Sequence, residues 1–264
     1  MRPRIALSRV LIRVGEFLES LAAPLMRPDD LMEFTRRYYA SARIVNFYAG
    51  KGVTEAGLYP CEKAMMDHLP LKSGRMLVLC VGGGREAMAM AQMGFEVTGV
   101  DHIPEILERA RAKAAERGLR FEGQVQEMSR LDLPVRAYDA AWLSAMMYSS
   151  IPTRARRIRM LRRVARALKP QGYFLCQFFC DPGAGGRRAG YMLRKAVAAL
   201  SLGNTEYERG DTLLANTQFM HVFLSPDEAR SEFVEGGFEV ITILADDELK
   251  ASGAVLRKTS RQER

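Results

Sequence analysis

MLVLCVGGGREAMAMAQMGFEVTGVD, Met76 to Asp101, is the stretch on which the fold turns. Met76 to Cys80 is a short apolar run, and after Val81 come three adjacent glycines, Gly82, Gly83 and Gly84. Arg85 to Met93 continues in strong helix formers until Gly94 stops them. Glu96 to Val100 is a second β-type run that ends on Asp101. Strand, glycine turn, helix, strand and acid follow one another in the order of a nucleoside-binding βαβ unit. In an open parallel sheet, ligands bind outside the carboxyl ends of the strands, where a glycine turn exposes bare backbone. A carboxylate closing the neighbouring strand has the lone pairs to accept from both ribose hydroxyls.

Working outward, the same alternation repeats. Pro104 to Arg117 reads as a helix with proline in its first turn and Gly118 at its end. Strands are expected at Phe121–Val125, Ala140–Leu143 and Tyr173–Phe178. Asp181 to Gly190 is too glycine-rich for regular structure and opens an insertion over about 181–220. Ser225, Pro226 and Glu228 start a capped helix that ends at Gly236 and Gly237, and Phe238–Leu244 and Gly253–Leu256 close the chain as two strands. The expectation is a Rossmann-like, mostly parallel seven-stranded α/β sheet with helices on both faces and an antiparallel final strand.

Two helical segments precede the sheet, so residues 1–58 are read as an extension or lid and 59–264 as the main domain. Leu7, Leu11, Val14, Leu18, Leu21 and Leu25 form a continuous apolar seam at spacings of four and three. Such a seam packs on the body of the protein, on a second copy in a homodimer, or, with Arg2, Arg4, Arg9 and Arg13 beside it, on a membrane surface. Asp30 to Tyr48 carries Tyr38, Tyr39, Phe47 and Tyr48, aromatics that suit either a lid or a core.

At 264 residues, 48% hydrophobic and 27% charged, the chain has enough apolar material for a full core. The cysteines Cys61, Cys80, Cys176 and Cys180 lack zinc-type pairing, and neither a metal nor a disulfide is expected. Arg9, Arg13 and Glu16 interrupt the apolar region near the N-terminus, so a cytoplasmic location is expected, peripheral to a membrane if the seam binds lipid. Of the net charge of +8, Ile151 to Pro170 accounts for an equal amount, with seven arginines, one lysine and no acid. Ile158, Leu161, Ala165 and Leu168 lie at helical spacing within it, so its outer face is a solvated helix surface or an electrostatic footprint. It lacks the interleaved aromatics of a single-strand binder, which argues against nucleic acid.

Taken together, these motifs resemble the class I S-adenosylmethionine-dependent methyltransferases from Tyr59 to Lys258. VLCVGGGRE resembles the family's glycine motif. QEMSRLDLPVRAYDAAWL, Gln126 to Leu143, resembles its acidic motif, and LRRVARALKPQGYFL, Leu161 to Leu175, its helix-to-strand signature. FMHVFLSPDEARSEFVEGGFEVITI resembles the C-terminal signature. The resemblance implies S-adenosylmethionine as cofactor, with Val81, Gly82, Gly83, Gly84, Asp101, His102, Glu127, Met128 and Ser144 around it. Gly82 and Gly84 would lie against its methionine and ribose parts, Asp101 would hold the ribose, and Glu127 and the Met128 amide would meet the adenine. Two positions depart from the pattern: Cys80 stands where an acid is common and Glu86 where a third glycine is usual.

The implied reaction is methyl transfer to a small-molecule or lipid-like acceptor. His221 is the candidate base and Tyr148 the candidate substrate wall. The tetrapeptide of nucleobase amino methyltransferases is absent, since the fourth strand runs into LSAMM. Gly82, Gly84, Ala87 and Asp101 also satisfy the dinucleotide fingerprint of a nicotinamide-dependent oxidoreductase, and a non-catalytic binding protein of the same fold is a third reading.

Overall fold

The computed structural model describes residues 3–143, 145–186, 188–246 and 250–259. Seven strands form one sheet in the order β3-β2-β1-β4-β5-β9-β8. They are β1 Gly74–Leu79, β2 Phe95–Asp101, β3 Phe121–Val125, β4 Tyr138–Leu143, β5 Leu168–Phe179, β8 Phe238–Asp246 and β9 Ala251–Lys258. The pairings from β3 through β5 are parallel, and β9 runs antiparallel between β5 and β8. The remaining strands, β6 Asp211–Leu214 and β7 Gln218–His221, make a separate hairpin inside the insertion. Chain order reverses between β1 and β4, which opens the crevice where such sheets bind ligands.

Successive side chains of a strand point to opposite faces, and here both faces are apolar. Leu77, Leu79, Ala141, Leu143, Phe174 and Cys176 face one core, which α9 (Arg154–Ala167) and α11 (Pro226–Glu235) cover. Met76, Val78, Ala140, Trp142 and Leu175 face the other, under α6 (Pro60–Asp67), α7 (Arg85–Gln92) and α8 (Pro104–Glu116). All of these strand residues are fully buried, so the sheet is fixed in register by two cores at once.

The N-terminal region is helical: α1 Pro3–Glu19, α2 Ala22–Leu25, α3 Pro28–Tyr39, α4 Ala42–Tyr48 and α5 Lys51–Thr54. The insertion forms α10 (Arg188–Leu200) and the β6–β7 hairpin, which docks on α3 where Phe219 N–H donates to Thr35 Oγ1 at 2.9 Å. Extension and insertion thus build one cap over the switch point. Among the described residues, no helix is long and apolar enough to cross a membrane.

The basic segment becomes α9, and its charge is largely taken up by acids that arrive from elsewhere in the chain. Arg154 pairs with Glu235 at 2.8 Å, Arg156 with Asp29 at 2.8 Å and Lys169 with Asp139 at 2.7 Å. Arg157 is fully buried and bonded to Glu232 and Glu208. The outer face of α9 stays in solvent at Arg154, Arg159, Arg162 and Arg166, while Arg156 and Arg157 turn inward to tie the cap and α11 to the helix.

One close approach joins the cap to the glycine turn. A Cβ on Gly83 would overlap the backbone carbonyl of Tyr48 and stand 3.0 Å from Ala49 Cα. Gly83→Ala should cost about 1–3 kcal/mol, because backbone rather than a pliable side chain has to move. Urea unfolding measures this, and an unchanged midpoint would mean that α4 is not seated on the turn.

Candidate active site

At the carboxyl ends of β1 and β2 lies a cavity of about 350 Å³, within the range of small-ligand sites. Val81, Gly82, Gly83, Asp101 and His102 line it, as do Cys80, Arg85 and Glu86. Its roof is Tyr39, Phe47, Tyr48, Val53 and Tyr59. Tyr39 and Tyr48 rings lie 5.9 Å apart and Phe47 and Tyr48 5.2 Å, a packed aromatic cluster.

Asp101 organises the floor. It is 6% exposed; Oδ2 accepts from Gly82 N–H at 2.9 Å and Oδ1 from Ile103 N–H at 3.0 Å. Burial pushes its carboxyl above the usual range, while neighbouring His102 and the amides of Gly82, Ile103 and His102 pull it back. Each oxygen keeps a lone pair for a ligand hydroxyl. Gly82 has φ +51°, and the space its Cβ would occupy is empty, so bare backbone faces the cavity.

Cys80, at φ 53°, is a neutral wall: burial, then Asp101 and Glu86, push its thiol well above the ordinary value. Burial lowers the pKa of His102, which stays a neutral imidazole with Nδ1 3.6 Å from Asp101 Oδ1. Beside them Arg85 is held by Glu62 (Nη1–Oε2 2.5 Å, Nη2–Oε1 2.6 Å), reaches Glu86 at 2.8 Å and stacks 4.0 Å from the Tyr59 ring centroid. Sequence reasoning missed Arg85, Glu62 and Tyr59. Arg85 directly follows the glycines, but its partner lies 23 residues away and nothing local announces it.

Other expected residues stand elsewhere. Gly84 caps α7 at φ +91° and packs against Met88 and Ala110 rather than on the cavity. Glu127 bonds to Ser129 and its charge acts on His102, whereas the Met128 side chain is in the core; neither lines this cavity. Ser144 lies outside the described residues.

Two assignments are corrected. Tyr148 is not a substrate wall: it has no exposed surface, stacks on Phe223 at 5.8 Å and donates to Glu232 at 2.6 Å. His221 does not reach the cavity either; it is 4% exposed, packs edge-on to Phe223 and bonds through Nδ1 to Asp211 Oδ1 at 2.8 Å. Strand β7 turns it into the polar cluster around Arg157, which binds the hairpin to the body. Glu208, Asp211 and His221 bring their ligand-type atoms within 4.8 Å of one another. Arg157 Nη2 already donates to both Glu208 oxygens at 3.0 Å, so a metal ion there would compete with a buried guanidinium.

This pair makes a pH prediction. Burial raises the Asp211 carboxyl to about 7, and burial followed by Arg157 lowers His221 to about 4. A raised carboxyl stabilises the fold as pH falls from about 7 to 3.8, and a depressed imidazole destabilises it as pH falls from 6.5 to about 4. Between about 4 and 6.5 the pair holds one proton in either state and contributes no slope. In His221→Gln only Asp211 remains, so stability relative to wild type should climb as pH drops through that window. Denaturant unfolding across it checks the sign; parallel profiles would refute the assignment.

Comparison with known proteins agrees with this geometry. Residues 76–172 match the family model described as a methyltransferase domain. The chain is 28% identical over 137 residues to a phosphatidylethanolamine N-methyltransferase of Cereibacter sphaeroides, covering 51% of this chain and 64% of that protein. It is 31% identical over 106 residues to a ubiquinone biosynthesis O-methyltransferase of Xanthomonas oryzae pv. oryzae, covering 39% and 42%. The matched region thus spans about half the length of these curated relatives. Among solved structures, an S-adenosylmethionine-dependent methyltransferase of Methanosarcina mazei superposes with a TM-score of 0.58 at 20% identity, over 76% of this chain and 98% of that one. The sheet order and glycine turn define a class I methyltransferase fold. Residues 76–172 match a methyltransferase domain, and the chain as a whole shares the fold of S-adenosylmethionine-dependent methyltransferases.

Proposed function

We propose that this protein transfers a methyl group from S-adenosylmethionine to a small apolar or lipid-like acceptor. The observation that carries the reading is the cavity itself: a buried carboxylate and a bare glycine backbone at one end, and an aromatic roof over the rest. The residues suit the cofactor. Asp101 has acceptor capacity for two ribose hydroxyls, the empty space beside Gly82 admits a ligand against the backbone, and Glu86 sets a carboxylate on the wall for an ammonium group. When bound, the cofactor supplies a methyl carbon made electrophilic by a positive sulfonium.

The chain's own residues then act by position. Asp101 and Gly82 hold the nucleoside end. Tyr39, Phe47 and Tyr48 roof the cavity and exclude water, with the Tyr39 hydroxyl anchored on Gln218 of the insertion. Where the acceptor has to lose a proton, His102 is the group on the wall able to take it, being neutral and facing the cavity. The apolar roof favours a hydrophobic acceptor, in keeping with a relative named for a phospholipid and another for ubiquinone synthesis. The nicotinamide reading fares worse: the space over Gly83, where a pyrophosphate would approach the turn, is filled by Tyr48 and Ala49.

Calorimetric titration with S-adenosylhomocysteine tests the reading, with NADH as control. Binding of the first alone is expected, and Asp101→Ala should weaken it by about 1.5–3 kcal/mol, roughly 10- to 150-fold. Binding of NADH instead would overturn the reading, and binding of neither would leave a scaffold of the same fold.

A further inference from the structure

Helix α1 makes little contact with the rest of the molecule. Leu7, Leu11 and Leu18 are 61%, 62% and 60% exposed, and Val10, Val14 and Phe17 about half exposed. At about 100° per residue these six share one arc of about 120°. Arg4 borders the arc on one side and Arg13 on the other, while Glu16 and Glu19 lie on the opposite face. That acidic face borders a cleft shared with Arg194 and Tyr207 of the insertion. The apolar arc therefore points away from the body, into solvent. Ile5 and Ile12 stand outside it and take no part.

A second apolar edge lies where the helix joins the body. Leu25, Leu200 and Leu202 are 50%, 87% and 69% exposed. They are held together because Asn204 N–H donates to Pro24 O at 2.9 Å, and because Gly203 lets its backbone press against Pro24 and Leu25. Leu25 follows the end of α1 by only six residues, so this exposed edge adjoins the C-terminal end of the helix.

We propose that α1 is a membrane-docking helix that lies in the headgroup region of a bilayer containing anionic lipid. Its apolar arc enters the acyl boundary, and Arg4 and Arg13 meet lipid phosphates at the arc's borders, as cations flanking an apolar face do in interfacial helices. A second copy fits less well. Within α1 the seam runs only from Leu7 to Leu18 before the helix ends at Glu19, well short of the three or four heptads of a coiled coil. A symmetric pair would also set arginine-bordered flanks together with no acid on those flanks to meet them. This surface stands independently of the methyl-transfer reading.

The test is sedimentation of the full chain with vesicles of phosphatidylcholine alone and of phosphatidylcholine mixed with phosphatidylglycerol, at low and high salt. We expect binding at least about tenfold stronger to the anionic vesicles, weakened by salt. Leu11→Glu with Val14→Glu should abolish it, and Arg4→Ser with Arg13→Ser should remove its salt-sensitive part, whereas Ile12→Ser should leave it intact. Because α1 is exposed, unchanged thermal unfolding and unchanged S-adenosylhomocysteine titration in these variants would show that the body is undisturbed. No sedimentation with either vesicle, or sedimentation indifferent to Leu11→Glu with Val14→Glu, would overturn the proposal. So would a dimer in light scattering that those substitutions dissolve without any vesicle binding.

Discussion

The carboxylate of Asp101 is the constraint on which the site depends. It ends β2, accepts from the first amide of the glycine turn and from the amide that opens α8, and so fixes two loops against each other. A charge this deeply buried persists only where donors surround it. The backbone supplies those donors before any ligand arrives, so the residue that would hold a nucleoside also shapes the turn that receives it. Through Gly83 the same turn carries the backbone of Tyr48, and through Tyr48 the aromatic roof. Floor and roof are thereby packed against each other, and a change at the glycines is felt in the residues above them.

A second buried charge does comparable work on the far side of the sheet. Arg157 joins α9 to Glu232 on α11 and to Glu208 in the insertion, with Tyr148 sharing Glu232. Breaking such a pair by removing one partner strands a charge in the interior, which costs about 3–5 kcal/mol. The insertion is thus not a loop laid on a finished domain. Its hairpin is clamped from below by Arg157 and from above by α3, where Thr35 and Tyr39 meet Phe219 and Gln218.

What the sequence disclosed follows from how local each signal is. Short continuous apolar or β-type runs and glycine stops placed β1 to β5 and the closing pair, because a strand buried on both faces is apolar at successive positions. Asp101 was legible since it sits at a fixed chain distance from the glycines. Tyr148 and His221 were misread because an aromatic and an imidazole after a strand look alike whether they face a cavity or a core. Only the positions of Glu232 and Asp211, 84 and 10 residues away, decide between the two. The basic helix keeps the solvated face its sequence suggests, but the pairing of Arg154, Arg156 and Arg157 was hidden for the same reason: their acids are Asp29, Glu208, Glu232 and Glu235, and a count within one segment is blind to them.

The two departures from the family's glycine motif explain each other in the structure. Asp101 and Glu86 already put two carboxylates on the cavity wall. Arg85, bound at once to Glu62 and Glu86, and the amides over Asp101 stabilise that negative charge. An acid at position 80 would add a third carboxylate against both, and the upward push that Asp101 and Glu86 exert on the Cys80 thiol shows the sign of that repulsion. A neutral thiol fills the strand end without it. Glu86, at the first turn of α7, also gains from the helix dipole while facing the cavity. Negative charge has moved from the end of the strand to the start of the helix, and with it the wall against which a cationic ligand would settle.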